Sequence, residues 1–138
     1  MSGRFFLDTN IFVYSFETGA KAREAKALIR KAVATKRGIV SFQVVQEFFS
    51  VAFRRFAKPM SVAEAEQYLS TVFRPILAVQ STPALYMEAL HLYNIHALSW
   101  YDSLIVAAAI QAECEVLYSE DLQNNHKLDG LQIRNPFV

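Results

Sequence analysis

The sequence predicts an α/β fold of three layers, α/β/α, in which helices cover both faces of a central, mostly parallel sheet. Short apolar segments that suit buried strands alternate along the chain with one or two segments of helical length. Hydrophobic residues make up 53% of the chain, and only 4 Gly and 4 Pro interrupt it, so a large core is expected. A chain of 138 residues is within the usual size of one domain, so a single domain is expected over residues 1–138.

The first strand and the first long helix are separated by a turn. Residues 4–7 are an apolar run that predicts a buried strand, and the turn-prone residues 8–10 follow it. Residues 20–35 are rich in Ala, Lys and Arg with apolar positions at helical spacing, which predicts a helix with a basic outer face. Gly38 closes this helix, and residues 38–41 predict the second strand.

Two helices rich in aromatic residues are predicted next. The apolar positions of residues 43–56 cover more than half of a helix, which indicates contacts on two sides. Ser61 and Glu64 form a capping-box pattern that begins a helix over residues 61–73. These two helices are expected to offer a surface to a partner, because the first contains more large apolar side chains than one core-facing stripe needs, namely Phe49, Phe53 and Phe56.

The second half of the chain predicts three more strands and two more helices. Residues 76–79 predict a strand, and Thr82 followed by Pro83 begins a helix that ends near His96. Ser99 begins the next helix, over residues 100–112. The last two strands are predicted at residues 116–119 and 131–133.

Several classes of protein are excluded by composition. The single Cys114 forms neither an intrachain disulfide nor a multi-cysteine zinc site, which favours an intracellular protein. We expect a cytoplasmic location and no membrane contact, because the N-terminus lacks a signal-peptide pattern and the longest apolar run, residues 104–110, is too short to cross a bilayer. No glycine-rich phosphate loop is present, and His91 and His96 have the wrong spacing for zinc on one helix face.

The net charge of +1 conceals an uneven distribution along the chain. Residues 1–58 carry 11 Lys or Arg and 4 acids, whereas residues 59–138 carry 3 and 9. Seven of the cations lie within residues 21–37. Such a stretch is either an ordinary solvated helix face or a surface for a phosphate backbone. If the stretch binds the phosphate backbone of a nucleic acid, the predicted contact residues are Lys21, Arg23, Lys26 and Arg30.

Two acids follow predicted strands, where ligands bind in open α/β sheets. Asp8 comes directly after the first strand, and Asp121 comes shortly after the strand at residues 116–119. Each also suits an Asx-turn or a helix N-cap. Either role is open for each residue taken alone.

Two further acids border apolar helix faces. Asp102 shares a face with Ile105 and Val106, yet Ser99 and Asp102 also nearly form a capping box. Glu47 lies beside the apolar face of its helix, although it also suits an ordinary exposed position. Together the four acids predict an oxygen-lined pocket of the kind that Mg²⁺ or Mn²⁺ requires.

Four motifs carry a family resemblance that covers nearly the whole chain. Residues 6–10 (FLDTN), 45–48 (VQEF), 101–103 (YDS) and 117–122 (LYSEDL) resemble the four acidic motifs of PIN-domain nucleases. Residues 130–137 (GLQIRNPF) resemble the ending of VapC-type toxins of that family. The resemblance implies a PIN-like domain with Asp8, Glu47, Asp102 and Asp121 as catalytic metal ligands, supported by Asn10 and Ser119.

The same resemblance implies a function. It implies a Mg²⁺- or Mn²⁺-dependent endoribonuclease whose products carry a 5′-phosphate and a 3′-hydroxyl, and which is a homodimer neutralised by a cognate antitoxin. Glu120 and Asp129 are nearby acids that replace or assist Asp121 in an alternative assignment. A housekeeping RNA-processing nuclease and a noncatalytic module that binds RNA or a partner are alternative functions.

Overall fold

A computed structural model describes residues 2–138 and places six strands in one sheet. The strand order is β3-β2-β1-β4-β6-β5, and every neighbouring pair is parallel except β5 with β6. The central, mostly parallel sheet predicted from the sequence is therefore confirmed. The strands are β1 (Phe5–Leu7), β2 (Gly38–Ser41), β3 (Leu77–Val79), β4 (Val116–Tyr118), β5 (Lys127–Leu128) and β6 (Leu131–Arg134).

Helices cover both faces of this sheet, as the sequence predicts. The chain moves outward from β1 to β3 and then returns to the other side of β1 with β4. Because crossovers between parallel strands are right-handed, this reversal places the helices before and after β3 on opposite faces. The helices are α1 (Thr9–Tyr14), α2 (Ala20–Thr35), α3 (Phe42–Arg54), α4 (Val62–Tyr68), α5 (Pro83–Ile95) and α6 (Trp100–Gln111).

Three local features differ from the sequence prediction. The turn expected at residues 8–10 is the start of α1, because Asp8 is the N-cap of that helix. The helix expected over residues 61–73 is α4 continued by a π-helical turn, Leu69–Phe73, in which the Arg74 N–H donates to the Leu69 carbonyl. Strand β5 was not predicted, since a two-residue strand carries no periodicity.

The core has an aromatic side and an alanine-rich side. Phe12, Phe48 and Phe73 are fully buried, and Phe48 stacks on Tyr68 with ring centroids 5.1 Å apart. On the other face, α6 is buried from Ser103 to Ala109 without a break. A helix buried all round needs small side chains, which explains its run of alanines.

Gly38 serves close packing rather than helix closure. The residue that ends α2 is Lys36, which adopts the left-handed conformation with a φ of 59°. Gly38 is the first residue of β2, and a Cβ at that position would lie 2.0 Å from the Cβ of Ala32. The missing side chain therefore lets α2 lie against the sheet.

Within residues 2–138, no helix combines the length and the apolar character needed to span a membrane.

Candidate active site

A cleft of about 950 Å³ opens at the carboxyl ends of β1 and β4, the strands between which the order of the sheet reverses. In doubly wound sheets this reversal point is where ligands bind. The cleft brings together all four acids predicted from the sequence. Asp8, Glu47, Asp102 and Asp121 come from four segments of the chain and all line the cleft. Two further carboxylates, those of Glu17 and Glu64, also line it.

Asp8 forms the floor of the cleft and is the most buried of these four acids. Its Oδ1 accepts a hydrogen bond from the Thr9 N–H at 2.7 Å, which caps α1. Its Oδ2 accepts one from the Ser119 hydroxyl at 2.8 Å. Asp8 is thus an N-cap that also lines the cleft, so capping α1 does not keep its carboxylate away from the other acids.

The first turn of α1 connects Asp8 to two of the other acids. The Thr9 hydroxyl donates to Oε1 of Glu47 at 2.9 Å, and Asn10 Nδ2 donates to Oδ2 of Asp121 at 3.1 Å. The Asp121 N–H in turn donates to the Ser119 oxygen at 3.2 Å. These hydrogen bonds orient three carboxylates relative to one another.

Asp102 reaches the cleft from the first turn of α6. Its N–H donates to the Ser99 hydroxyl at 3.1 Å, which is one half of a capping box. Within residues 2–138, the reciprocal bond to the Ser99 N–H is absent, whereas Ser61 and Glu64 make both bonds of a complete box. The Asp102 carboxylate is therefore not occupied in capping its own helix.

Burial and negative neighbours both act on Asp8. The pKa of Asp8 is raised from its ordinary value of 3.8 to about 6, mainly because burial removes water from the carboxylate. The negative charges of Glu47 and Asp121 contribute to the same increase. The hydrogen bonds from Ser119 and Thr9 favour the ionised form and therefore limit the increase in pKa. A cation placed among these carboxylates would offset the same repulsion.

The donor set suits a hard divalent cation. Carboxylate oxygens are the ligands that Mg²⁺ and Mn²⁺ prefer, and Asn10 Oδ1 is a buried oxygen for which residues 2–138 supply no hydrogen-bond donor. Within the described chain, no three acidic, histidine or cysteine side chains stand close enough to hold an ion as they are. Glu47 and Asp102 are only half-buried, so their side chains are free to change rotamer toward a shared ion.

The two alternative acids lie elsewhere. Glu120 accepts hydrogen bonds from Tyr14 and, at 2.6 Å, from Lys21, and these bonds lower the pKa of Glu120. Asp129 lies in the turn between β5 and β6, with a φ of 48°. Neither lines the cleft, whereas Asp121 does.

The cations predicted to bind RNA lie outside the cleft. Lys21 pairs with Glu120 and lies over the Tyr14 ring, while the other three are exposed on α2, namely Arg23, Lys26 and Arg30. The cleft is instead lined by Arg55 and Lys58, at the end of α3. Sequence reasoning missed both residues because the denser stretch on α2 dominated the charge pattern.

Thr9 is a further site residue that sequence reasoning did not assign. It lies between two candidates, Asp8 and Asn10, and this adjacency was the available signal. Its partner Glu47 is 38 residues away along the chain. Only the tertiary structure identifies that contact.

Several solved structures have a fold similar to that of this chain. A chain of a toxin-antitoxin complex from Klebsiella pneumoniae aligns with a TM-score of 0.69 at 17% identity, covering 96% of this chain and 97% of its own. Mycobacterium tuberculosis VapC20, a Sarcin-Ricin loop cleaving toxin, aligns with a TM-score of 0.63 at 24% identity, covering 85% and 89%. FitAcB from Neisseria gonorrhoeae aligns with a TM-score of 0.64 at 18% identity, covering 96% and 97%.

No curated protein matches the chain. The family model described as PIN domain matches residues 5–127, which is most of the sequence and includes all four acids. The fold, the reversal point with its acidic cleft and this match agree, and the chain belongs to the PIN domain family.

Proposed function

We propose that this protein is an endoribonuclease that hydrolyses RNA phosphodiesters with Mg²⁺ or Mn²⁺ held by Asp8, Glu47, Asp102 and Asp121. The observation that carries the proposal is the convergence of these four carboxylates on one cleft. Three of them are oriented by hydrogen bonds from neighbouring side chains. Four like charges at one site destabilise a fold unless a cation offsets them, so such an arrangement favours metal-assisted hydrolysis.

The chemistry divides between the cation and the protein. When bound, the cation lowers the pKa of water, polarises the phosphate and offsets charge on the leaving oxygen. Ser119 and Thr9 hold Asp8 with both of its oxygens in place, and Asn10 holds Asp121. The proposed mechanism needs no nucleophilic side chain, and its products carry a 5′-phosphate and a 3′-hydroxyl.

We also propose a biological role, the toxin of a type II toxin-antitoxin pair acting in the cytoplasm. Its support is the likeness in fold to a chain of a toxin-antitoxin complex and to a chain described as a toxin. The proposed partners are a cognate antitoxin and a second copy of the chain. Phe42 and Phe53 are exposed large apolar side chains on α3 and are available for such contacts.

The basic face of α2 has an accessory role in this proposal. Lys21, Arg23, Lys26 and Arg30 lie outside the cleft, so they attract the RNA backbone at a distance from the cut. Because Lys21 is paired with Glu120, the other three cations are expected to contribute more to RNA binding than Lys21 does.

The test is cleavage of total RNA in Mg²⁺, in Mn²⁺ and in EDTA, followed by mapping of the ends. We expect metal-dependent cuts with 5′-phosphates, which Asp8→Asn abolishes. Growth arrest on expression that Asp8→Asn relieves supports the toxin role over a housekeeping role. Cleavage that persists in EDTA, or binding of RNA without cleavage in any metal, contradicts the proposal.

A further inference from the structure

The cleft runs along α3 and is chemically different at its two ends. Glu47, Val51 and Arg55 follow one another at intervals of four residues, which places them on one side of the helix, and all three line the cleft. The helix has 13 residues and is therefore about 20 Å long. A stacked strand advances about 3.4 Å per nucleotide, so the cleft is long enough for several nucleotides.

The end of the cleft beyond Glu47 carries two cations, Arg55 and Lys58, and one carboxylate, Glu64. Arg55 ends α3, and Lys58 follows in the loop before α4; both side chains are exposed and line the cleft. Within residues 2–138, neither is within ion-pair distance of a carboxylate, although the charge of Lys58 contributes to lowering the pKa of Glu64. Phosphate groups are natural ligands for two such cations beside a cleft.

The opposite end of the cleft is aromatic. Tyr101 lines the cleft beside Asp102 and is 63% exposed. Gln43, near the start of α3, donates a hydrogen bond to the Tyr101 carbonyl at 3.3 Å, which places the backbone of Tyr101 beside that helix. An exposed ring in a nucleic-acid cleft offers a surface on which a base stacks.

We propose that the substrate strand lies along α3, with phosphates held by Arg55 and Lys58 at one end and a base stacked on Tyr101 at the other. On α3, Glu47 lies between Gln43, which contacts Tyr101, and the cationic residue Arg55. The strand is therefore held on both sides of this carboxylate. This inference rests on the proposed function for the identity of the strand as RNA. It assigns binding roles to Arg55 and Lys58, which lie outside the four acidic motifs, and to Tyr101, which begins the third of them.

The test measures binding of a short fluorescent RNA in EDTA, by anisotropy over a range of salt concentrations. The log–log slope of affinity against salt changes by about 0.7 for each phosphate contact on a single strand. We expect the slope of the double variant Arg55→Gln/Lys58→Gln to be shallower by about 1.4. The matched control, Arg74→Gln/Lys127→Gln, removes one arginine and one lysine outside the cleft and should keep the wild-type slope.

The aromatic end is tested separately in the same assay. Tyr101→Ala should weaken binding about tenfold, while Tyr101→Phe, which keeps the ring, should bind as the wild type does. An unchanged slope in Arg55→Gln/Lys58→Gln, an equal change in the control, or full affinity in Tyr101→Ala overturns the inference. The binding assay contains no metal and is therefore independent of the cleavage assay. If the wild type cuts RNA in the cleavage assay but the binding assay gives one of these results, the strand path is wrong and the proposed function stands. If the variants change RNA binding as expected but the wild type never cuts RNA, the proposed strand path stands and the proposed nuclease function is wrong.

Discussion

Asp8 combines the cost of burying a charge with the hydrogen bonds that compensate for it. Its pKa of about 6, against an ordinary 3.8, means that folding favours the protonated carboxyl relative to the unfolded chain. The ionised Asp8 therefore lowers the free energy of unfolding. This cost is small below about pH 4, grows between about pH 4 and 6, and reaches its full size above about pH 6. Its full size is about 3 kcal/mol, since one pKa unit corresponds to about 1.4 kcal/mol.

The first prediction concerns this penalty. In EDTA at pH 8, Asp8→Asn should raise the free energy of unfolding by about 2 to 3 kcal/mol, because Asn also caps helices and carries no buried charge. At pH 4 the gain should fall below about 1 kcal/mol, because Asp8 is then protonated in the folded protein and only about half ionised in the unfolded chain. Urea denaturation at both pH values measures it, and an equal gain at both would show that the Asp8 charge is not strained.

The second prediction concerns the Thr9 hydroxyl, which holds Glu47. Thr9→Val removes the hydroxyl at nearly constant shape, so Glu47 loses its fixed orientation. Loss of such a supporting hydrogen bond typically reduces metal affinity or activity about 10- to 100-fold. Mn²⁺ titration should show this loss in Thr9→Val and not in Thr9→Ser. If the two variants bind Mn²⁺ equally well, Thr9 has no role in positioning.

At the scale of elements, the close approach of α2 to β2 depends on Gly38. The third prediction is that Gly38→Ala lowers the free energy of unfolding by about 1 to 3 kcal/mol or more, because its Cβ has no room beside Ala32. Thermal melts of Gly38→Ala, Ala32→Gly and the double variant form a cycle. The double variant should recover part of the loss, and strict additivity would mean that the two positions do not clash.

Most elements could be predicted from the sequence because their signals are local. Ser61 and Glu64 form the predicted capping box, and Thr82 caps the predicted helix at Pro83. Helix α1 was missed because Asp8 reads equally well as a turn residue and as an N-cap, and only the tertiary structure decides between them.

The candidate site was predictable to a different extent. Asp8 and Asp121 follow strands, so their arrival at one edge follows from parallel pairing. The Lys21–Glu120 pair joins residues 99 positions apart, and no local pattern reveals it. Arg55 enters the cleft only because α3 lies along it, which depends on packing rather than on sequence spacing.

At the scale of the whole molecule, the fourth prediction concerns association. Phe53 is 44% exposed and stacks on Phe49, which itself packs against the core, so Phe53→Glu should leave the monomer folded. It should weaken a homodimer or an antitoxin complex that uses the α3 surface. Light scattering and antitoxin titration measure this, and the same measurements on Leu90→Glu test the other exposed apolar surface, on α5. A wild type that stays monomeric at high concentration and binds no antitoxin contradicts the prediction.

The central claim is that four carboxylates from distant parts of the chain act as one cation site. The most direct measurement is the rise in Tm that Mn²⁺ produces, since a ligand that binds only the folded state stabilises it by mass action. We predict a rise in the wild type that is lost in each of four variants, Asp8→Asn, Glu47→Gln, Asp102→Asn and Asp121→Asn. Glu120→Gln and Asp129→Asn, whose acids lie outside the cleft, should keep it. An absence of any rise in the wild type, or a full rise in the four variants, would contradict the account.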